Sequence, residues 1–336
     1  MRMKKLIIAF TALFVIMAAI PAVINLASYL PDIIASAGSQ DESKTSIKDE
    51  SRTADSSTES GSAADSEGDI TIKTGDTTQN ISLKDAVAGT LAAIMPDGCS
   101  KEAAKALAAA VYSNLLSTAQ GGETPAITAD EPFLSADEAK KDKGVEFYSS
   151  CEQYAEFALN TKIEYEGKPA ELLIFSSCAG STLNASDILS SPPPGHTSAS
   201  SPWDMYSNIT SQQSFTSAEA EKILKESFGV DEIPKDIENA IKIKKTAQNG
   251  AVLEAEICGK ACGGIEIMNA FSLKSPCFTL SAQDDSLKFT VEGEGVPVGM
   301  SISGAVGMAN QGAGWQEILS HYYSGLEISE ITPEAQ

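Results

Sequence analysis

Residues Ser82 to Gly98 read Ser-Leu-Lys-Asp-Ala-Val-Ala-Gly-Thr-Leu-Ala-Ala-Ile-Met-Pro-Asp-Gly, and this stretch sets the class of the fold. Ser82 is followed three residues later by Asp85, the pattern of a serine-led cap that satisfies free N–H groups at a helix start. Leu83, Val87, Leu91, Ile94 and Met95 then recur at three- and four-residue spacing, which gives one apolar helical face. Pro96-Asp97-Gly98 ends the helix, because proline lacks the N–H that a helix needs and Asp-Gly favours a turn. A second helix is expected after Ser100, from Lys101 to about Leu116, in a run rich in alanine. The result is an elbow of two helices whose small faces can pack closely.

Outward from the elbow the periodicity changes. Upstream, Ile70-Thr71-Ile72-Lys73 alternates like a short strand, with Gly75-Asp76 as a turn. Downstream, strands are expected at Val145–Tyr148, Thr161–Tyr165, Leu172–Phe175, Ile241–Thr246 and Val252–Ile257, with Asn249-Gly250 as a hairpin signal between the last two. Ser217 is expected to cap a helix. Another helix follows a glycine-rich segment from Gly293 to Gly314 and carries Trp315, Ile318, Leu319 and Tyr322 on one face. Helices and strands mixed without regular alternation predict an α+β domain.

The amino terminus has a different character. Arg2, Lys4 and Lys5 precede an uncharged run from Leu6 to Leu30, and roughly twenty apolar residues suffice to cross a bilayer as a helix. The basic flank places the terminus in the cytosol and the rest of the chain outside. A cleaved signal peptide is the competing reading, with Ala35-Ser36-Ala37 as its best site. From Gly38 to Asp69 the chain holds nine acids and three bases, and Ile47 is its only large aliphatic up to Ser66, so it cannot bury enough apolar surface to offset chain entropy. The expected organisation is a cytosolic tip and signal-anchor over 1–31, a disordered Ser/Asp/Glu-rich linker over 32–68, a folded extracytoplasmic domain over 69–328 and a tail over 329–336.

Over the full 336 residues, 46 acids against 24 bases give a formal net charge of −22. A surface this acidic repels phosphate and excludes a basic nucleic-acid binder. Six cysteines are too sparse for a disulfide scaffold, and His196 and His321 are the only histidines, which removes the raw material of a histidine-rich metal site.

Several blocks carry a family resemblance. Leu83 with Ala-Val-Ala-Gly-Thr-Leu-Ala-Ala-Ile94-Met95-Pro96, the helix containing Glu102, Lys105 and Ala106, and Gly299-Met300-Ser301 with Gly304-Ala305 resemble the stage II sporulation protein D / LytB family. The ending Met308-Ala309, Gly312, Trp315, Ile318-Leu319 and His321-Tyr322-Tyr323 with Gly325 is the most specific match. Phe175-Ser176-Ser177 with Gly180 and Thr182, and Ser201-Pro202-Trp203-Asp204, are similar to the family's middle motifs and stand in the expected order. The resemblance covers roughly Ile70 to Ile328.

The resemblance implies a membrane-anchored lytic transglycosylase that cuts peptidoglycan during forespore engulfment, working with the stage II sporulation proteins M and P. Such a reaction needs a carboxylic acid of raised pKa to protonate the glycosidic oxygen. In the family a glutamate stands between Ala-Ala and Met-Pro, where this chain has Ile94, which cannot titrate. Other polar family positions are also replaced: the middle loop reads Ala179-Gly180-Ser181-Thr182-Leu183, and Val296, Pro297 and Val298 follow Gly295. That pattern points to a scaffold kept after the chemistry was lost, a non-catalytic protein that binds peptidoglycan or the engulfment complex. The alternative is a weakly active or altered transglycosylase, for which Asp97 and Glu102 are the nearest substitute acids. Both have structural explanations, in a turn and in the first turn of a helix respectively. Ser176, Ser177, Gly180, Thr182, Gly295, Gly299, Met300 and Ser301 are the candidates for a retained groove. Cys258 and Cys262 could close a small disulfide loop outside the membrane. Neither a metal nor a cofactor is implied.

Overall fold

A computed structural model describes residues 69–74, 77–118, 126–127, 131–206, 209–283 and 285–331. The expected anchor and linker (1–68), the Gly75-Asp76 turn and the end of the tail (332–336) lie outside the described residues. Among the described residues no helix is long and apolar enough to cross a membrane.

The fold is α+β. In chain order its elements are β1 (Asp69–Thr74), β2 (Thr77–Ser82), α1 (Leu83–Ile94), α2 (Lys101–Thr118), β3 (Ala126–Ile127), α3 (Ala136–Asp142), α4 (Val145–Leu159), β4 (Thr161–Tyr165), β5 (Lys168–Pro169) and β6 (Ile174–Phe175). There follow β7 (Thr210–Thr216), α5 (Ser217–Phe228), β8 (Ile241–Thr246), β9 (Val252–Ile257), β10 (Lys260–Cys262), α6 (Gly264–Ala270), β11 (Phe278–Gln283), β12 (Ser286–Glu292), β13 (Met300–Ser301), α7 (Ile302–Asn310), α8 (Trp315–Tyr322) and β14 (Glu327–Glu330). The strands form small sheets with the orders β2-β1-β3, β14-β4-β5, β10-β9-β8 and β11-β12-β7, and β13 pairs in parallel with β6.

The elbow forms as the sequence predicts. Ser82 caps α1, its hydroxyl accepting from the Asp85 N–H at 3.1 Å, and α1 ends before Met95. In α2, Ala103, Ala104, Ala106, Ala108, Ala109 and Ala110 have no exposed surface. Small side chains on several sides of one helix let α1, α4, α7 and α8 all approach it, so α2 is the spine of a first core. A second core gathers α5, α6 and the sheets of β7 to β12, where Phe289 meets Phe271 and Phe278 at centroid separations of 4.9 and 5.5 Å.

Two expectations are corrected. Val145–Tyr148 is not a strand but the first turn of α4. Alternation over four residues fits both periods, and the longer record settles it: Tyr148, Cys151, Ala155 and Ala158 are the buried positions, at helical spacing. The cap of α5 is Thr216 rather than Ser217, in a capping box with Glu219.

The two cores meet at Leu172-Leu173, the first residue facing one core and the second the other. Asn114 of α2 pins this seam: its amide nitrogen donates to the Leu172 carbonyl at 2.7 Å, and its oxygen accepts from the Leu172 N–H at 2.5 Å. Asn114→Ala leaves both backbone groups unpaired, and chemical denaturation is expected to show a loss of about 2–4 kcal/mol.

Candidate functional site

Four motif blocks, far apart in the chain, converge on one buried carboxylate. Asp204 has no exposed surface. Its Oδ1 accepts from the Ser301 hydroxyl at 2.6 Å and from the Cys178 N–H at 3.2 Å. Its Oδ2 accepts from the Ser201 hydroxyl at 2.5 Å and from the Cys178 thiol at 3.4 Å. Because the Ser201 hydrogen is committed to Asp204, the Tyr322 hydroxyl donates to Ser201 Oγ, at 2.7 Å. Ser301 also caps α7, accepting from the Gly304 N–H at 3.1 Å. A side chain at 304 would collide with the Tyr322 hydroxyl and Ser201 Oγ, which is why α7 carries glycine there.

Burial pushes the Asp204 carboxyl above the usual carboxylate range, against the opposing pull of its Ser201, Ser301 and Cys178 donors. Burial likewise raises the Cys178 thiol, and the neighbouring Asp204 charge raises it further. Cys178 is therefore held as a neutral thiol beside an acid, the reverse of what activates a cysteine nucleophile.

A second buried network flanks the first. His196 Nε2 accepts from the Leu173 N–H at 3.0 Å and its Nδ1 donates to the Pro194 carbonyl at 2.9 Å, an assignment made from the partners. The Tyr323 hydroxyl donates to the Leu173 carbonyl at 2.7 Å and accepts from the Met300 N–H at 3.2 Å. Burial holds the His196 pKa below its ordinary value, which favours the neutral ring this geometry requires. Gly299, at φ +83°, lies where any Cβ would strike the Leu173 carbonyl.

These contacts also take up the residues named as groove candidates. Ser177, Thr182, Gly295, Gly299, Met300 and Ser301 are buried, while Ser176 and Gly180 are half-buried. Their polar groups serve the framework. The Ser176 carbonyl accepts from the Ser303 N–H, Ser177 pairs with Glu294 in both directions, the Gly180 carbonyl accepts from the Ser201 N–H, and Thr182 exchanges hydrogen bonds with Ala199. Residues in this family pattern are spent on holding loops together rather than on an open surface.

Ile94 sits half-buried at the last turn of α1, packed against the first core. Asp97 is exposed and lies 3.9 Å from Lys143. Glu102 accepts from the Trp315 N–H at 3.2 Å and pairs with Lys105 at 3.1 Å, so it secures the start of α8. Partial burial raises its pKa, but the Lys105 and Trp315 contacts outweigh that and hold it below its ordinary value, the wrong direction for a proton donor at neutral pH. Cys258 and Cys262 are separate thiols, which corrects the expected loop. Cys262 stands opposite Ala255 in the β9–β10 ladder while Cys258 lies in the turn three residues beyond Ala255. That offset is about 10 Å along the strands, more than the roughly 7 Å a disulfide spans. Among the described residues no group of three or more His, Cys, Asp or Glu side chains could hold a metal ion.

An open cleft of about 460 Å³ lies on the outer side of the Asp204 network, lined by Trp203, Met308, Gln311, Gly312, Glu317 and His321 among others. Trp203 follows directly from the buried turn, and its ring sits over α7 at Gly307, where no side chain intervenes. His321 Nε2 donates to the Ser200 carbonyl at 2.7 Å, and its ring meets Trp203 edge-on at 5.6 Å. Trp203 and His321 belong to motifs quoted from the sequence, but Gln311 and Glu317 were not singled out. The available signal was their place in and just after the α7–α8 turn, with Glu317 one helical turn before His321.

The chain is 31% identical over 265 residues to stage II sporulation protein D of Bacillus amyloliquefaciens, covering 75% of each chain. It is 29% identical over 266 residues to the protein of the same name from Bacillus subtilis (strain 168), covering 75% of this chain and 76% of that one. No family model matches the chain.

Proposed function

We propose, for a chain that belongs to the stage II sporulation protein D family, a non-catalytic role in peptidoglycan remodelling during sporulation, as a binder of peptidoglycan or of the engulfment complex. The observation that carries this reading is Ile94: the acid that the family reaction uses is replaced by an aliphatic side chain at the end of α1. The nearest carboxylates do not substitute for it. Asp97 is exposed on a turn beside Lys143, and Glu102 is committed to Trp315 and Lys105. The basic residues Arg2, Lys4 and Lys5 before the apolar run Leu6–Leu30 support a single-pass anchor in the cell membrane, with the domain outside and the terminus in the cytosol. In that setting the stage II sporulation proteins M and P are the proposed partners.

Digestion of purified peptidoglycan by the full chain tests the non-catalytic reading. No anhydro-muramyl ends are expected above background, while the chain co-sediments with the wall. Removing a general acid typically costs about a hundredfold to ten-thousandfold in rate. Anhydro ends formed by the natural sequence at rates well above that residual level would sink the proposal. Ile94→Glu adds a diagnostic arm: ends formed only by that variant would show a groove intact except for its acid.

A further inference from the structure

We infer that β7 is a self-association edge, along which two copies of the chain pair antiparallel about a two-fold axis through Gln212. The inference is independent of wall binding and of the Trp203 cleft. β7 lies at one side of the β11-β12-β7 sheet, and among the described residues β12 is its only strand partner. The Ile209 carbonyl accepts from the Gly293 N–H and the Ser217 N–H donates to the Asp285 carbonyl, so odd-numbered residues turn their backbone groups toward β12. The alternation of an antiparallel strand then leaves the N–H and C=O of Thr210, Gln212 and Ser214 facing outward.

An open strand edge invites pairing, and other strands of this fold carry guards against it. β8 has Lys242, Lys244, Lys245 and a shifted register, β14 has Glu327 and Glu330, and β5 is two residues long and ends on Pro169. β11, on the far side of the same sheet, is met at its start by the Ala251–Cys277 bridge and by the short helix Ile237–Ala240. β7 keeps unbroken register with β12 over seven residues and reads Thr-Ser-Gln-Gln-Ser-Phe-Thr, without a charge, a proline or a bulge. In a chain of net charge −22, an uncharged edge is where a second copy meets least repulsion.

Two orphaned atoms select the register. Ser211 Oγ and Gln213 Oε1 are enclosed without a hydrogen-bond partner, whereas native interiors leave few polar atoms unpaired. Pairing centred on Gln212 sets Ser211 of each copy opposite Gln213 of the other, as a non-hydrogen-bonded pair with Cα atoms about 4.5 Å apart. Both residues are half-buried, so a turn of each side chain lets the Ser211 hydroxyl donate to Gln213 Oε1 of the second copy. Gln212 then opposes Gln212 and Thr210 opposes Ser214, with about six backbone hydrogen bonds between them. Thr216 stays outside this register, its N–H already committed to Glu219. A contact limited to one strand edge falls short of the roughly 1,200 Å² of standard interfaces, so the dimer is weak, with a dissociation constant on the order of micromolar.

Sedimentation equilibrium of the full chain in density-matched detergent micelles tests this. The protein mass is expected to rise from one chain to two with concentration. Gln212 is exposed, and Gln212→Glu or Gln212→Lys sets like charges directly opposite each other across the axis. Each variant alone is expected to dimerise about tenfold or more weakly, and an equal mixture of the two to recover the dimer. Ser211→Ala removes an orphaned hydroxyl from the single chain, so thermal unfolding at low concentration is expected to be unchanged or slightly later, while the dimer weakens about threefold or more. A natural chain that stays monomeric up to roughly 100 μM overturns the inference. So does a dimer equally strong in both Gln212 variants, which would be held by another surface, the amino-terminal apolar run included. Loss in both variants without recovery on mixing overturns the register centred on Gln212.

Discussion

Asp204→Ala is expected to lower the stability of the folded region by about 3–5 kcal/mol, and the thermal midpoint by roughly 10 °C or more. The size follows from what the substitution leaves behind. The hydroxyls of Ser201 and Ser301 and the N–H of Cys178 all donate to this one carboxylate in a site with no solvent access. Without it, the Cys178 N–H is a buried donor with no partner, at about 1–3 kcal/mol, and the Ser201 and Ser301 hydroxyls lose their charged acceptor and keep only the Tyr322 hydroxyl at 2.7 Å and the Ser176 carbonyl at 3.4 Å. The loss also releases Tyr322, because its acceptor Ser201 is positioned by Asp204. Asp204→Asn keeps the shape and one carbonyl acceptor, so it is expected to cost less. Denaturant titration of the two variants at neutral pH checks the order. A loss below 1 kcal/mol for Asp204→Ala would show that the carboxylate is not the tie that the geometry describes.

That tie explains which parts of the molecule could be read from the sequence. The α1–α2 elbow was legible because its information is local: a serine cap, apolar residues at helical spacing and a Pro-Asp-Gly stop, all within Ser82 to Gly98. The α4 helix was misread because Val145-Glu-Phe-Tyr148 satisfies a period of two as readily as one of 3.6. The Asp204 network was present only as scattered family blocks. Its members are separated by 26 residues for Cys178 and 97 for Ser301, and Ser201 lies 121 residues from Tyr322, so no spacing rule connects them. The same distance in sequence explains why Ser301, Thr182 and Met300 were expected in a groove. Their residue types are those of a binding surface, and only the fold shows them spent on loop-to-loop contacts. Ile94 was legible as the end of the α1 apolar pattern, since its information is local, and it stands half-buried there as the spacing implies.

His196→Ala is expected to cost about 2–4 kcal/mol at neutral pH, from an unpaired Leu173 N–H and a cavity beside Tyr323. Its pH dependence is the sharper readout. The folded-state pKa of His196 is depressed, so the unfolded chain binds more protons there than the folded one. The stability tied to this residue is therefore complete above the unfolded value of about 6.5 and is lost as pH falls through the folded value, with a slope of up to about 1.4 kcal/mol per pH unit. Asp204 behaves in the opposite sense. Its folded pKa is raised, so the proton-linked part of its contribution is complete below the unfolded carboxylate value and is lost as pH rises through the folded one, while the hydrogen bonds that it accepts from Ser201, Ser301 and Cys178 are what Asp204→Ala removes at neutral pH. Both effects are present in the natural chain, but the difference between it and His196→Ala isolates the histidine. That difference is expected to shrink as the medium is acidified from pH 7 to pH 5, because the unfolded natural chain takes up a proton at His196 that the folded chain resists, and the variant has no such proton to bind. Parallel stability curves over this range would mean that folding leaves the His196 pKa unchanged, and a difference that grows on acidification would mean that His196 donates from both nitrogens, leaving the seam between the two cores to Tyr323 and Asn114.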